Sequence, residues 1–226
     1  MKRSVCFRAL EPEDAELIYQ WHNDAEMMKN AVGMERFWSK QDCRDWVAAR
    51  SKRDNFNFWF AICLNDESKK MIGYFGINNV HYVNRSATSD AIVIGDKEHR
   101  DGFAWIETYL YMKYFVFEVL HLHRFYGSCM ATQKQTLFMT KLLYAHVDGI
   151  IPDCYFKNNQ YIDEVLTSSF DDEYFMHKNN GDFEMKALLK RIRQLREEEK
   201  EKKKKKKNDK QCASDFTTEF NFSAEG

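Results

Sequence analysis

From Phe103 to Leu120 the chain is apolar around almost the whole circumference of a helix, and this segment limits the possible folds more than any other. Phe103, Ile106, Leu110, Tyr114 and Phe117 recur at helical spacing, and Tyr109, Met112 and Val116 widen the stripe. A helix without a broad polar face has to be covered, so it is central to its domain. Just ahead of it stand an apolar run, Asp90–Ile94, and a turn with Gly102 at its tightest point. A buried strand therefore empties directly into the start of a central helix.

Further strands surround this join. Ser4–Leu10 alternates as a first strand, and Glu11-Pro12 then opens a helix, because the N–H that proline lacks has no partner in a first turn. That helix carries Ala15, Leu17, Ile18 and Trp21 inward. The polar, aromatic-rich stretch from Asn23 to Asp54 is placed to act as a lid; within it Ser39 reads as the N-cap of a helix with Trp46 and Val47 facing inward. Phe56–Leu64 and Met71–Val80 read as strands joined by the turn Asn65-Asp66-Glu67-Ser68, with Phe58 and Phe60 marking a buried face. After the central helix come a strand at His123–Ala131, a helix at Thr132–Leu143, and a hairpin, Ile150–Phe156 and Tyr161–Ser168, about Asn158-Asn159. This order predicts a mixed α/β sheet.

With 2 prolines and 9 glycines in 226 residues, few breaks are available, and one domain is expected over residues 1–178. Residues 179–207 read as a charged helical extension, with Phe183, Ala187, Leu188, Ile192 and Leu195 on one face, and 208–226 as a disordered tail. The lysine run Lys202–Lys207 follows Glu197, Glu198, Glu199 and Glu201, which cancel much of its charge, so it reads as a solvated helix. A net charge of -1 and a pI near 6.7 exclude a nucleic-acid footprint over the whole surface. Met1-Lys2-Arg3-Ser4 leads straight into the alternating strand, so neither a signal peptide nor a membrane span is expected. The 6 cysteines lack the short spacing of a zinc or dithiol site and read as reduced thiols of a cytoplasmic protein. His121 and His123 flank Leu122 without a third ligand nearby, so no metal is expected. A monomer or homodimer, with no nucleic-acid or membrane partner, is the expected state.

Chemistry concentrates in Ile92-Val93-Ile94-Gly95-Asp96-Lys97-Glu98-His99-Arg100-Asp101-Gly102-Phe103-Ala104-Trp105. The first amides of a helix have no intrahelical acceptor and the dipole favours negative charge, so a pyrophosphate can sit there, with Gly102 permitting close approach. Alone, the same pattern also describes a plain strand-to-helix connection.

Four separated segments give it weight. Phe7-Arg8-Ala9-Leu10-Glu11-Pro12, Asn84-Arg85-Ser86-Ala87, Leu122-His123-Arg124 and Asp153-Cys154-Tyr155-Phe156-Lys157-Asn158-Asn159-Gln160-Tyr161 stand in the right order. Over about Arg8–Tyr174 the chain resembles the GNAT superfamily of N-acetyltransferases, in the branch of the RimJ/RimL-type and spermidine enzymes. The resemblance implies a mostly antiparallel sheet splayed between its fourth and fifth strands, with acetyl-CoA as co-substrate in the opening. It implies that Arg100, Asp101, Gly102, Phe103, Ala104 and Trp105 hold the pyrophosphate, although this loop is one residue shorter than the family's and lacks its first glycine. Ile92, Val93 and Ile94 would lie along the pantetheine arm, and Gln133 and Lys134 would stand where the family often has an Asn-Lys pair.

The family's proton donor to the leaving thiolate, a tyrosine, aligns with Thr140, or with Met139 after a one-residue shift; Tyr144, one helical turn later, is a candidate substitute. Asp90 stands where related enzymes often carry a carboxylate base, and it also fits a strand-edge aspartate in solvent. Glu107 fits either a catalytic acid or a simple complement to the helix dipole. The implied function is acetyl transfer to a small amine or peptide amine: an amino sugar, a peptide N-terminus or a polyamine. The single acid in Ala31–Trp38 favours the first two over the polyamine. The alternative is a catalytically silent acyl-CoA-binding protein on the same fold.

Overall fold

The structure, a computed structural model, describes residues 4–30 and 36–218. The chain divides into two compact units, Met1–Asn180 and Gly181–Gly226.

In the first unit, β1 (Val5–Ala9) leads through a one-turn helix at Pro12–Asp14 into α1 (Ala15–His22), followed by α2 (Ala25–Asn30) and α3 (Lys40–Arg50). Local chemistry fixes these starts. Asp14 accepts from the Glu11 amide at 2.8 Å and takes both guanidinium nitrogens of Arg8, at 2.7 and 2.8 Å. Ser39 caps α3 as expected, accepting from the Asp42 amide at 3.0 Å while Asp42 reaches back to Ser39. Then come β2 (Phe58–Leu64), β3 (Met71–His81), β4 (Ser86–Ile94), α4 (Phe103–Tyr114) with a π-helical turn at Phe115–Val119, β5 (Arg124–Met130), α5 (Lys134–Leu142), β6 (His146–Lys157), β7 (Gln160–Phe170) and α6 (Asp171–Asn179). The β6–β7 hairpin turns on Asn158 and Asn159, both at positive φ, the conformation a two-residue hairpin loop needs.

The strands form one seven-stranded sheet in the order β1-β2-β3-β4-β5-β7-β6. Every neighbouring pair is antiparallel except β4 and β5, which are parallel and therefore need a crossover; α4 supplies it. Period-2 alternation divides the side chains between two layers. On one face, Phe7, Phe60 and Phe75 pack on Tyr111 of α4, with ring centroids of Phe7 and Tyr111 4.2 Å apart. On the other, Trp59 and Tyr74 meet Trp46 of α3, each pair at 5.2 Å, above a fully buried Val47. Phe58 and Phe60, expected on a buried face, are only half-buried, although both pack on Phe115.

The central helix differs from its expected stripe. Phe103 and Tyr114 are exposed, whereas Ile106, Tyr109, Met112, Val116 and Phe117 are buried, and so is Lys113. The fourth strand also starts earlier than Asp90, because polar Ser86, Thr88 and Ser89 pair with β3 and hide the strand from a hydrophobicity reading.

In the second unit, Met185–Thr218 is one helix, α7, preceded by Gly181 at positive φ. It runs through the expected boundary at 207/208, there being no glycine or proline from Met185 to Thr218 to end it. Residues 219–226 of the expected tail lie outside the described residues.

Candidate functional site: the fork between β4 and β5

β4 and β5 pair over only three rungs, Ser86–Arg124, Ala87–Phe125 and Thr88–Tyr126, although β4 continues to Ile94 and β5 to Met130. The sheet forks there. At its crotch Gly127 allows contact with β4, since a Cβ on it would stand 3.1 Å from the Ser89 Cβ. Beyond the crotch the edge of β4 that carries Ile92, Val93 and Ile94 has no strand opposite it among the described residues, so its backbone groups are open to an extended ligand.

On its other side β4 is bulged. Phe75 pairs with Ile92 and Ile77 with Ser89, so Gly76 stands opposite two residues, Asp90 and Ala91. Asp90, at the bulge, is exposed at the strand edge, and on the face occupied by α1 and α3 its carboxylate accepts from the Asn78 side chain at 2.5 Å. Around it on this face are Tyr74, the Trp46–Trp59 pair, and Arg50, whose guanidinium lies 4.0 Å above Trp46 and 4.6 Å above Trp59. His22 meets the Tyr74 hydroxyl at 2.7 Å; burial, and then the charge of Arg50, hold its pKa down at about 4, so it stays neutral at pH 7. Neither Arg50 nor Asn78 was singled out by the sequence.

The end of β4 leads to the start of α4. Gly102, at φ 96°, is the N-cap, and a Cβ there would stand 2.7 Å from Met139 Cε on α5. The first amide to bond back into the helix is that of Ile106, to the Gly102 carbonyl at 3.0 Å. The amides of Ala104 and Trp105 therefore have no backbone partner among the described residues and are available to an anion. The Phe103 amide is different: it donates to the Asp101 side chain at 2.9 Å. Arg100 turns back onto β4, donating to the carbonyls of Ile94 at 3.0 Å and Gly95 at 2.9 Å, so it fixes the turn as well as offering charge. Asp96, Glu98 and His99 are grouped closely enough for an ion, but Asp96 is already paired with Lys70 at 2.6 Å and His99 at 3.1 Å. Burial pushes the Asp96 carboxyl upward and these partners more than reverse it, leaving it at about 2.

The competition at Phe103 gives a first prediction. Replacing Asp101 by glycine should tighten CoA binding roughly fivefold, because removing a unit charge near the phosphates is worth about 1 kcal/mol in a solvated site. Titration calorimetry reads it; weaker binding by Asp101→Gly would show that the carboxylate supports the site rather than competing for it.

The remaining candidates lie on α5 and just after it. Gln133 is the N-cap, its side-chain oxygen accepting from the Met130 amide at 3.1 Å, and Lys134 begins the helix. Thr140 is buried, its hydroxyl donating to the Leu137 carbonyl at 3.0 Å. Tyr144 lies beyond the helix at positive φ, its ring stacked on His177 of α6 at 3.6 Å. The structure thus gathers Asp90, the β4 edge and the α4 amides at one fork, with α5 beside it, while the Tyr144 ring is stacked against α6. Glu107 has a structural task, accepting from the Ser4 and Val5 amides at 2.9 and 3.1 Å and so pinning β1 to α4. His123 pairs with Asp171 at 2.7 Å.

A family model described as an acetyltransferase (GNAT) domain matches residues 4–141. The spermidine N(1)-acetyltransferase of Escherichia coli strain K12 is 26% identical over 184 residues, which cover 79% of this chain and 92% of that protein. The crystal structure of a spermidine N-acetyltransferase from Vibrio cholerae in complex with CoA and spermine is similar with a TM-score of 0.68 at 20% identity, over 76% of this chain and 98% of that one. A chimera of the Vibrio cholerae enzyme with hSSAT gives 0.67 at 19% identity, again over 76% and 98%.

Proposed function

The chain belongs to the GNAT acetyltransferase family and is an acetyl-CoA-dependent acyltransferase, and from that premise we propose that it acetylates a terminal primary amine of a small polyamine such as spermidine. The observation that carries this is the fork: an open β4 edge and a free helix start on one side of Asp90, and an aromatic, carboxylate-bearing face on the other. The spermidine enzymes among the relatives support the acceptor. The single acid of Ala31–Trp38, on which the preference for an amino sugar or peptide amine rests, is Glu35, which lies outside the described residues.

In this reading the open β4 edge orients the thioester, and its amides stabilise charge developing on the carbonyl oxygen. The amides of Ala104 and Trp105 hold the pyrophosphate, with Arg100 beside them. Asp90, or water bonded to it, takes a proton from the acceptor ammonium; the amine nitrogen then attacks the acetyl carbon, the carbon–sulfur bond breaks, and the nitrogen gives up its second proton to water as the amide forms. Thr140 is a poor acid and already bonded, so the CoA thiolate leaves unprotonated and takes its proton from water, which its ordinary thiol pKa of about 8.5 permits. Residues 1–178 carry the enzyme, with α7 as a charged extension. A reducing, cytoplasmic setting fits six cysteines that lack the short spacing of a dithiol or zinc site. Among the described residues no helix is long and apolar enough to cross a membrane.

Free CoA thiol should appear on mixing the protein with acetyl-CoA and spermidine, faster than with an amino sugar or an N-terminal peptide, the acceptor of a RimJ/RimL-type enzyme. Asp90→Asn should lower kcat about 100-fold or more while leaving CoA affinity unchanged. CoA binding without acceptor-dependent release would mark a silent acyl-CoA-binding protein.

A further inference from the structure

The C-terminal arm of the fork carries a carboxylate that the reaction outlined above does not use. β5 and β7 each have two faces. Phe125 and Cys129 of β5, with Val165 opposite Cys129 on β7, are buried on the α4 side, where Phe125 meets Tyr109. By alternation Ser128, and Glu164 of β7, lie on the other face, toward α1 and α3. The hairpin confirms the side: Lys157, two residues from Tyr155 on the same strand, donates to the Met28 carbonyl of α2 at 2.8 Å.

On that face Glu164 is tightly held. Its Oε1 accepts from the Ser128 hydroxyl at 2.5 Å and from the Tyr155 hydroxyl, and its Oε2 faces the Cys154 thiol at 3.4 Å. The hydroxyls of Ser128 and Tyr155 lower its pKa against the effect of burial, so it is ionised at pH 7. Yet it is half-buried and forms no ion pair among the described residues. A carboxylate fixed, charged and without a cation is a receptor for one.

Its place relative to Asp90 follows from register. Thr88 pairs with Tyr126 and Ser89 touches Gly127, so Asp90 and Ser128 stand across the crotch of the fork one rung further on. Glu164 pairs with Met130, two residues beyond Ser128, and its carboxylate reaches back to Ser128, so it lies more than one strand spacing, roughly 5 Å, across the opening from β4. That span suits the two ends of a linear diamine of several methylenes.

We propose that Glu164, positioned by Ser128 and Tyr155, binds the distal ammonium of the acceptor while the reacting amine lies at Asp90. This rests on the amine-acetyltransferase reading and makes the enzyme a reader of chain length between two positive charges. A second charge on the acceptor is recognised by the opposite arm of the fork from the one that holds the first.

The test compares linear diaminoalkanes of increasing length and spermidine with n-alkylamines of matched length, in wild-type protein and in Glu164→Gln. The expected result is a KM for diamines and spermidine raised about tenfold or more, with the alkylamine KM and the CoA affinity unchanged. Glu164→Asp should restore part of the diamine preference and shift its optimum toward longer chains. Should Glu164→Gln misfold, Ser128→Ala and Tyr155→Phe, which loosen the carboxylate but keep it, should reduce the same preference. Turnover in which diamines and alkylamines are affected alike, or neither is, overturns the role of Glu164 and leaves the enzyme reading intact. Wild-type protein that binds CoA but releases none with any amine overturns both.

Discussion

Gly102→Val should raise the Kd for CoA by about 100-fold or more in titration calorimetry, equivalent to roughly 3 kcal/mol. Three effects act together. Gly102 sits at φ 96°, where a β-branched side chain is strained. Its Cβ would press on Met139 Cε at 2.7 Å, and relief by moving that flexible end carries the change into α5. The added methyl groups also stand beside the Ala104 and Trp105 amides that the phosphates need. The fold persists because Gly102 is an N-cap at the helix start, whereas the residues that seat α4, Ile106, Tyr109 and Met112, lie further along it. Gly102→Ala, with the strain but less bulk, should fall between the two, and circular dichroism separates lost binding from lost structure. Unchanged affinity in the valine variant would show that the phosphates do not lie on these amides.

The same turn shows how far a sequence carries such an argument. Strand order, the glycine turn and the helix behind it could be read from periodicity, because burial on one face or all faces leaves a regular mark. The fork could not: pairing of β4 and β5 stops after Thr88, and nothing in the residues from Ser89 to Ile94 distinguishes an open edge from a paired one. It came from family resemblance alone. The bulge at Asp90 and Ala91 is equally silent, since a register shift depends on Gly76 across the sheet. The occupied amide, by contrast, is legible in the sequence: an aspartate two residues before a helix amide, as Asp101 is to Phe103, is a common side-chain cap. Glu164 was invisible for another reason. On a strand whose next residue is buried Val165, it reads as an ordinary solvent-facing position until the strand beside it and the hairpin turn show which face is roofed.

Lys113 is the clearest case of a residue hidden by its neighbours, and its removal should change stability more than any surface substitution. Within Tyr109–Phe117 it looks like the polar edge of a greasy helix, but it is 2% exposed, its ammonium donating to the Leu143 carbonyl at 2.6 Å and lying 5.6 Å from the Tyr109 ring. Leu143 caps the C-terminus of α5, where the helix dipole favours a cation, so Lys113 ties the crossover helix to the helix that flanks the fork. Burial nevertheless lowers its pKa from 10.5 to about 7, against the opposing pull of Glu173. The sign follows from linkage. Below about pH 7 the lysine is protonated folded or unfolded; from about 7 to 10.5 the unfolded chain binds the proton and the native state does not, so this group's contribution to stability rises with pH across that window. In urea titrations Lys113→Met should flatten that rise and should be more stable than wild type below pH 7, where wild type must bury a charge, since methionine fills a similar volume without one. Near pH 10 the order should reverse, because the Leu143 carbonyl then loses its partner at a net cost of about 1 kcal/mol. Parallel pH profiles for the two proteins would mean that water or an acid keeps Lys113 charged throughout, and the coupling between α4 and α5 would then be an ion–dipole contact at every pH.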